Sequence, residues 1–586
     1  MESLRPLAAV LVTAAATVPI LASRGRPDLR EGWTLLAAVA NLAIVGSMVP
    51  GVLDGTVYES TVGTLVPGVE FTLQADLLGV LFGLVASLLW LVTSFYSIGY
   101  MRGLDETDQT RYFAAFAGSV ASAVGIAFAG NLLVLFVFYE LLTVATYPLV
   151  SHDETDEARA AGRKYLTYTF GGGVAVLAGA VMVYWLTGTT AFTPGGIAGL
   201  SGVDLTLARV AFGLLITGFG VKAALMPLHS WLPDAMVAPT PVSGLLHAVA
   251  VVKSGIFGIA RVVLDVFGPE TVAEIGMGIP LAALAAFTLT VASVIALRQD
   301  NLKRRLAFST VSQLSYIVLG LAVGAAAAPS QASAYALVGG LLHIPAHAFM
   351  KLTLFFCAGA IHVETHTDDI SDMAGIGKRM PLTMTAFGIA AAGMAGIPVI
   401  AGFVSKYFLL IGTVSAGYLV FTGALLLSGI LNIAYFWPVV YTAFFESKDE
   451  NDEKPLIEGV LGGRLFGHDA ALATDGGHAD DGDDAANGDH VDGDDAANGE
   501  HVDGDDAVDG EYDEHGYADD HEGDHGHPHG GDWDVRGWGG QESTWFMLGP
   551  ILFAAGGSIV LGVIPDTAVF LEIVREIVFA VTGVRV

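Results

Sequence analysis

The sequence predicts an all-α polytopic membrane protein of about 14 transmembrane helices, and three observations support this fold class. The 586-residue chain is 53% hydrophobic, its mean hydropathy is +0.60, and only 15% of its residues are charged. Its apolar residues form long runs, many near the ~20 residues that cross a bilayer. The acidic excess lies in one segment, so the rest of the chain is nearly neutral. These features exclude a stack of soluble domains.

Fourteen apolar runs define the predicted spans. The first run follows Glu2 and Arg5, which make a poor basic leader, so we expect a membrane helix rather than a signal peptide. The closing segment 567–586 mixes apolar residues with charges, and it either lies at the interface or extends the last helix. The spans are predicted near 7–22, 33–50, 75–97, 113–129, 131–150, 165–186, 207–225, 241–262, 275–296, 307–325, 334–361, 382–410, 417–442 and 544–564.

The acidic excess is confined to residues 446–542. This segment holds 31 Asp/Glu and 4 Lys/Arg, and it therefore carries −27 of the formal net charge of −32. An 11-residue unit repeats in it as DGDDAANGDHV, DGDDAANGEHV and DGDDAVDGEYD, and nine of the 16 histidines lie there. Its lack of apolar residues predicts disorder. We interpret it as the salt-adapted spacer of a halophile; the alternative is a segment that binds divalent metal loosely or stores charge in a pH-dependent way.

Basic residues are distributed unequally between the two sets of loops. Loops that connect odd-numbered to even-numbered spans hold 14 Lys/Arg, against about five on the opposite side. The positive-inside rule then makes the basic loops cytoplasmic. Both termini are predicted to be external, and the acidic loop 446–542 is predicted to be cytoplasmic.

The stretch 221–261 combines proline breaks with buried charge. Lys222 ends an apolar run, and a second apolar run carries His247 and Lys253. A charge at mid-bilayer costs about 3 kcal/mol or more, so such residues usually mark an ion path. The alternative is that the lysines snorkel to the interface. The break contains Pro227, Pro233, Pro239 and Pro241.

Further ionisable residues lie in other apolar runs. Glu140 lies in FVFYELLTVATYPLV, where it needs a proton or a basic partner; a structural ion pair is the alternative. His343, His347 and Lys351 recur every four residues and so share one helix face. Pro345 should loosen the backbone between them and admit water. Singly, each histidine is compatible with a satisfied core position, and we expect no metal there.

A second glycine- and proline-interrupted run precedes Lys406. The breaks fall in the seventh and twelfth predicted spans, five spans apart, so spans four to eight and nine to thirteen form two five-helix units in inverted orientation. Paired broken helices are the best sequence indication of a transporter site. The predicted regions are 1–112 (three N-terminal helices), 113–262 (first repeat), 275–442 (second, inverted repeat), 446–542 (acidic, His-rich loop) and 544–586 (last helix and amphipathic tail).

Cofactor motifs are absent from the sequence. The single cysteine, Cys357, permits no intrachain disulfide and no thiolate cluster, and no GxGxxG or GxxxxGK[ST] motif is present. Flavin and quinone sites leave weaker traces. We predict no cofactor, no metal site and no nucleic-acid partner.

Three motifs together resemble those of a known family: KAALMPLHSWLPDAMVAPTPVSGLLHAVAVVKSGIFGIAR, DNLKRRLAFSTVSQLSYIVLGL and HAFMKLTLFFCAGAI. By these motifs the chain resembles the antiporter-like membrane subunits of respiratory NADH dehydrogenase (complex I) and of Mrp-type multisubunit sodium/proton antiporters. The resemblance covers roughly residues 70–445, and the segments HSWLPDAMVAPTPVS and GFVSK are most similar to the D-type subunits of Mrp antiporters. The 446–542 insertion departs from the family pattern.

The resemblance implies fourteen helices, inverted five-helix repeats and broken seventh and twelfth helices. It also assigns family positions to individual residues. Glu140 matches the glutamate of the fifth helix, and Lys222 and Lys253 match the lysines of the seventh and eighth. His343 and His347 match polar positions of the eleventh helix, and Lys406 matches the terminal lysine of the twelfth.

The predicted function is proton translocation by one membrane subunit of a multisubunit Na⁺/H⁺ antiporter. Glu140 and Lys222 would form a switchable ion pair, since desolvation favours the neutral lysine when the two part. Lys253 and Lys406 would carry the proton onward, and His247, His343, His347 and Lys351 would relay it. The expected partners are other membrane subunits, protons, monovalent cations and the lipid bilayer.

Two other functions remain open at the level of sequence. The chain could be a proton-pumping subunit of complex I or of a membrane-bound hydrogenase, and it would then belong to a redox-driven enzyme without having a catalytic site of its own. It could also be a structural membrane subunit with a metal-buffering loop. The sequence does not indicate which cation is exchanged.

Overall fold

The computed structural model describes residues 1–447, 542–566 and 569–586. The described part is helical throughout, except for one β-hairpin near the N-terminus. The acidic segment predicted to be disordered lies outside the described residues, apart from its ends. The first helices are α1 (Arg5–Ala22), α2 (Pro27–Gly46), α3 (Val49–Leu53), α4 (Leu77–Gly103), α5 (Gln109–Ala127), α6 (Leu132–Val150), α7 (Asp156–Thr187), α8 (Leu205–Lys222), α9 (Trp231–Asp234) and α10 (Thr240–Ala248).

The second half continues the same pattern of long helices joined by short connections. Its helices are α11 (Val251–Arg261), α12 (Pro269–Glu274), α13 (Gly278–Ala296), α14 (Leu302–Ala326), α15 (Gln331–Thr365), α16 (Pro381–Ala395), α17 (Ala401–Ser415), α18 (Leu419–Phe445), α19 (Trp545–Val563) and α20 (Val569–Thr582).

Eleven helical stretches in the described residues are long and apolar enough to cross a membrane. The all-α, membrane-spanning fold class is therefore confirmed. The other three predicted spans fall on α5, on the α10–α11 pair and on the α16–α17 pair, which are shorter or less apolar. The total of fourteen spans and the inverted repeat remain predictions.

The two predicted breaks are present. Helix α8 ends at Lys222, and Ala224 takes a left-handed conformation (φ +54°) two residues later. Helix α16 ends at Ala395, and α17 begins at Ala401 after Val399, which is also left-handed (φ +79°). Such φ values are uncommon for alanine and a genuine outlier for a β-branched residue. Both breaks therefore carry local backbone strain.

One break was not predicted. The eighth predicted span is interrupted between α10 and α11, where Val249 and Ala250 leave the helical conformation. Neither proline nor glycine lies between these helices, so the sequence contains no breaker signal there. By contrast, α15 is assigned as one helix through Pro345. The expected local loosening does not end the helix.

The core of the bundle is formed by α14 and α15. All residues in an apolar 18-residue stretch of each of these helices are buried, whereas only a third are buried in the corresponding stretches of α1, α2 and α18. Helix α15 packs against α14 and α17, and also against α10 and α19. His343, His347 and Lys351 therefore lie on one of the two innermost helices, and the exposed apolar faces belong to the periphery.

A β-hairpin precedes α4 and was missed by the sequence analysis. Strands β1 (Tyr58–Val66) and β2 (Val69–Ala75) are antiparallel, with Tyr58 opposite Ala75. The next residue, Asp76, caps α4 by accepting a hydrogen bond from the Gly79 amide, 2.8 Å away. The hairpin is thereby joined directly to the start of a core helix.

Arg261, the last residue of α11, is buried. Its guanidinium bonds both carboxylate oxygens of Asp76 (2.6 and 2.8 Å) and one of Asp265 (2.7 Å). A buried charge is tolerated only when it is paired and hydrogen-bonded, as it is here. This triad fastens the end of α11 to the start of α4.

The C-terminal tail forms its own helix. Helix α19 ends at Val563, and α20 packs against α15 and α4, burying Phe570 and Val574 among others. The tail therefore does not simply extend the last span.

At the start of α16, the buried Glu542 carboxylate accepts hydrogen bonds from the amides of Leu382 (2.9 Å) and Thr383 (2.6 Å). These bonds fix the point where the chain returns after the acidic segment.

Candidate functional site

Lys222 lies at the end of α8 and is completely buried. Its ammonium donates a hydrogen bond to the Tyr139 carbonyl of α6 and lies 3.5 Å from the centroid of the Tyr139 ring. The Tyr139 hydroxyl donates to the Gly218 carbonyl (3.0 Å), which fixes the ring against α8. A carbonyl and an aromatic face both stabilise a cation. This site can therefore hold a protonated lysine without a carboxylate contact.

Glu140 follows Tyr139 on α6, and it does not contact Lys222 as an ion pair. Both of its carboxylate oxygens are buried, and neither has a hydrogen-bond partner among the described residues. The carboxylate packs against Gly173 of α7, where a β-carbon would overlap it. Glu140 and Lys222 are nevertheless within electrostatic range of each other. The structure therefore shows the two groups close together but unpaired.

The break after α8 is stabilised by side chains from elsewhere in the chain. The Trp231 indole donates to the Val221 carbonyl (2.9 Å), which lies in the last turn of α8 and also accepts from the Ala224 amide (3.1 Å). The Met226 amide donates to the Thr288 hydroxyl of α13 (3.2 Å). These bonds keep Lys222 at a fixed helix terminus.

Lys253 and His247 lie on opposite sides of the unpredicted break between α10 and α11. Both are buried, and the Lys253 ammonium donates to the Ile344 carbonyl of α15 (3.0 Å). The His247 ring packs 4.7 Å from the Phe355 ring, and neither of its nitrogens has a partner among the described residues. Lys253 therefore connects the first half of the bundle to the core helix α15.

The three residues predicted to share a face of α15 are buried, and their environments differ. His343 is bonded through Nδ1 to the Ser405 hydroxyl (2.8 Å) and through Nε2 to the Gln313 side-chain oxygen (3.0 Å). Lys351 donates to the Leu306 carbonyl and to the Ser309 hydroxyl, both at 2.9 Å.

His347 occupies the position between them. Both of its ring nitrogens are without partners among the described residues, and its ring lies 6.1 Å from that of His343. The charges of Lys253 and Lys351 both act on it. A buried imidazole with free nitrogens, lying among lysines, can accept or pass a proton, provided that water or a side-chain movement completes the contact.

Lys406 lies on α17 just after the second break. Its ammonium donates to the Met394 carbonyl (2.5 Å), one of the carbonyls at the end of α16. It also lies 4.6 Å from the centroid of the Tyr316 ring. Lys222 and Lys406 thus have the same kind of environment, a backbone carbonyl and a tyrosine face.

A hydrogen-bonded chain between Lys351 and Lys406 was not predicted. The Tyr435 hydroxyl of α18 donates its single proton to the Asn432 side-chain oxygen and is also hydrogen-bonded to the Ser309 hydroxyl (3.2 Å). The Asn432 amide donates to the Met394 carbonyl (3.0 Å), the same atom that holds Lys406. These residues are uncharged, so they stand out from an apolar run less clearly than a lysine or a glutamate does. Buried polar residues in the thirteenth predicted span were the available signal.

A family model described as NADH:quinone oxidoreductase/Mrp antiporter, transmembrane, matches residues 129–431. This region contains Glu140, Lys222, Lys253, Lys406 and the whole of α15. The match covers just over half of the chain, and it ends before the acidic segment.

Individual relatives agree with the family match. NADH-quinone oxidoreductase subunit N of Desulforudis audaxviator is 34% identical over 446 residues, which cover 74% of this chain and 86% of that protein. The A subunit of the Na⁺/H⁺ antiporter of Alkalihalophilus pseudofirmus is 35% identical over 408 residues, covering 67% of this chain but only 49% of that protein. The chain therefore spans about half the length of that antiporter protein.

Solved structures share the fold at low sequence identity. A chain of the Mrp complex from Dietzia sp. superposes with a TM-score of 0.72 at 22% identity, covering 99% of this chain and 98% of that one. A chain of an archaeal membrane-bound sulfane sulfur reductase gives a TM-score of 0.68 at 23% identity, covering 78% and 91%. These superpositions establish the fold alone.

Proposed function

The chain belongs to the NADH:quinone oxidoreductase/Mrp antiporter transmembrane family, and we propose that it is the proton-translocating membrane subunit of a multisubunit monovalent cation (Na⁺)/H⁺ antiporter. One observation carries the proposal. Buried ionisable and polar side chains extend from Glu140 and Lys222, through Lys253 and α15, to Lys406. Burying so many such groups costs several kcal/mol, and an ion path is the usual reason for it.

The first step of the proposal is a switch between two positions of the Lys222 ammonium. In one position it binds the Tyr139 carbonyl and ring; in the other it pairs with the Glu140 carboxylate, which has no partner among the described residues. Pairing stabilises the charged lysine, and separation favours its neutral form. One charge moved across 100 mV involves ~2.3 kcal/mol, so a change in pairing of this size matches the driving force.

The second step is transfer along α15 and beyond. Lys253 contacts the α15 backbone. Imidazole nitrogens are then offered by His247, His347 and His343. Lys351 begins the chain of hydroxyl and amide groups that ends at Lys406. Water would bridge the gaps between the histidines. Lys406 exchanges the proton with one side of the membrane.

The membrane orientation of the chain and its partner subunits are part of the same proposal. We propose that both termini are external, that the acidic segment is cytoplasmic and that the chain functions with other membrane subunits. The amino-acid sequences HSWLPDAMVAPTPVS, after Lys222, and GFVSK, ending at Lys406, favour a D-type subunit of an Mrp assembly. The only cysteine, Cys357, is buried, so a cysteine placed at either terminus would report its side of the membrane by labelling intact cells.

Replacement of either member of the switch tests the function. Glu140→Ala or Lys222→Ala should lower cation-dependent proton exchange in inverted vesicles by about 100-fold, the scale of a lost proton-transfer group. The matched control is Lys164→Ala, since Lys164 pairs with Asp234 (2.6 Å) and is a third exposed. Full exchange by a well-expressed Lys222→Ala variant would refute the proposal.

A redox-driven proton pump is the second candidate. The match to an NADH-quinone oxidoreductase protein over 86% of its length favours it specifically. The same buried path serves both functions, so the deciding measurement is the composition of the purified complex. Iron–sulfur and quinone-binding subunits would indicate the redox pump, and small membrane subunits without redox centres would indicate the antiporter.

A further inference from the structure

We propose that Glu106, His152 and Asp153 form a binding site for a divalent transition metal of the Zn²⁺ class. Glu106 lies in the connection between α4 and α5, and the other two lie in the connection between α6 and α7. One ligand atom from each side chain lies within 4.8 Å of the other two. The site lies in connections between helices, and the proposal does not depend on the proposed proton path.

His152 is the observation that separates this cluster from an ordinary group of surface acids. The residue is only 4% exposed, and neither ring nitrogen has a hydrogen-bond partner among the described residues. The Thr107 backbone lies near the ring without completing a hydrogen bond. Its Nε2 atom points toward Glu106, 4.0 Å from Oε2. A buried imidazole without a partner is costly, and coordination would satisfy it.

The charges of the cluster suit a cation. Glu106 and Asp153 bring two carboxylates to within 4.8 Å of each other and of the His152 ring. A divalent ion bound between them would offset the repulsion of the two carboxylates.

One basic group near the cluster is already engaged. Arg111 bonds the His152 carbonyl (2.8 Å), forms an ion pair with Glu154 and lies 3.6 Å from Asp108. It therefore supports the backbone of the α6–α7 connection and leaves the His152 ring free. His362 also acts electrostatically on Glu106, but it is hydrogen-bonded to Asp368 (3.0 Å).

One imidazole and two carboxylates define the class of ion. Zn²⁺ takes such mixed N/O ligands at about 2.0–2.2 Å, whereas Mg²⁺ and Ca²⁺ prefer oxygen alone. Ligand atoms around a tetrahedral ion lie roughly 3.3 Å apart, so the two connections would close by about 1 Å. The bound ion would fasten the end of α4 to the end of α6. The ligands lie 46 residues apart in the chain, so no sequence motif shows the site.

The test is Zn²⁺ binding to the purified full-length chain, measured by equilibrium dialysis with excess Mg²⁺ to occupy surface carboxylates. The nine histidines of the acidic segment would bind Zn²⁺ themselves, so every protein compared carries them as alanine: His468→Ala, His478→Ala, His490→Ala, His501→Ala, His515→Ala, His521→Ala, His525→Ala, His527→Ala and His529→Ala. We expect one Zn²⁺ per chain in this background.

Two near-isosteric variants decide the outcome. Glu106→Gln and Asp153→Asn should each weaken Zn²⁺ binding by about tenfold or more, as loss of a ligand does. Asp105→Asn is the matched control, because Asp105 is exposed, has the left-handed φ (+50°) that asparagine tolerates and lies one residue from the site. If the background protein binds no Zn²⁺, or if the two ligand variants bind it as tightly as the control does, the site does not exist.

Discussion

The two lysine-bearing breaks share one environment and differ in what surrounds it. At the first break Lys222 bonds a carbonyl and lies over the Tyr139 ring; at the second Lys406 bonds a carbonyl and lies over the Tyr316 ring. A carbonyl together with a tyrosine face is therefore used twice to hold an ammonium beside a helix end. The fold provides it from different residues in the two places.

The surroundings differ in charge. Beside Lys222 lies the Glu140 carboxylate, which has no partner among the described residues; Lys406 instead joins the neutral chain of Asn432, Tyr435 and Ser309. A nearby carboxylate can change the charge of a lysine, whereas hydroxyl and amide groups can only pass a proton on or fix its position. Two lysine sites with similar direct contacts can therefore have different functions in one bundle. Under the proposed function, the first is a switch and the second an exit.

Among replacements that keep every ionisable group, the largest effect should come from moving the Glu140 carboxylate. Gly173→Ala places a β-carbon where the carboxylate lies, so the carboxylate must move. Misplacement of a reacting group by about 1 Å can cost up to about 100-fold, and we expect cation/proton exchange to fall by at least tenfold. Exchange is measured in inverted vesicles.

The control for this variant lies two residues away on the same helix. A β-carbon added at Gly171 would meet nothing within 4 Å, and the residue is exposed, so Gly171→Ala should leave exchange unchanged. Alanine favours the helix at both positions, so neither variant should lose stability. Equal exchange in the two variants would show that the position of the Glu140 carboxylate does not matter.

A smaller effect should come from the neutral chain at the second break. Tyr435→Phe removes the hydroxyl that links Ser309 to Asn432. The loss corresponds to about one hydrogen bond of 1 kcal/mol, so we expect exchange to slow by about fivefold. Tyr441→Phe is the matched control, since Tyr441 lies on the same helix and is 49% exposed. A fivefold loss in both variants, or in neither, would contradict a relay through Tyr435.

The smallest effect concerns strain at the second break. Val399 has φ +79° and is 60% exposed, so Val399→Gly should relieve strain of about 1 kcal/mol while losing little buried area. We expect the thermal unfolding temperature of the detergent-purified protein to rise slightly. At Val420, 81% exposed in the first turn of α18, the same replacement should lower it, because glycine weakens an ordinary helix. The same sign at both positions would exclude strain as the cause.

The breaks and their lysines could be predicted from sequence because each has a local chemical signal. Prolines and glycines cannot continue a helix freely, and a lysine in an apolar run is costly wherever it lies. The interruption at Val249 and Ala250 has no such signal, since nothing in those residues prevents a helix. The β-hairpin was missed because a short strand pair between membrane spans looks like an ordinary connection. The role proposed for Tyr435 depends on residues of other helices, Ser309 of α14 and, through Asn432, Met394 of α16.

The sequence by itself determined the class of the protein, two of the places where its helices break and the ionisable residues that had to be buried. These follow from apolar run length, from proline and glycine, and from the cost of charge in lipid, all of which are local. Only the tertiary structure decided which groups meet. It placed Lys222 on Tyr139 rather than on Glu140, joined Lys351 to Lys406 through neutral residues, and brought His152 to Glu106. The physical reason is that hydrogen bonds and ion pairs depend on distances between helices distant in sequence, which no local pattern specifies.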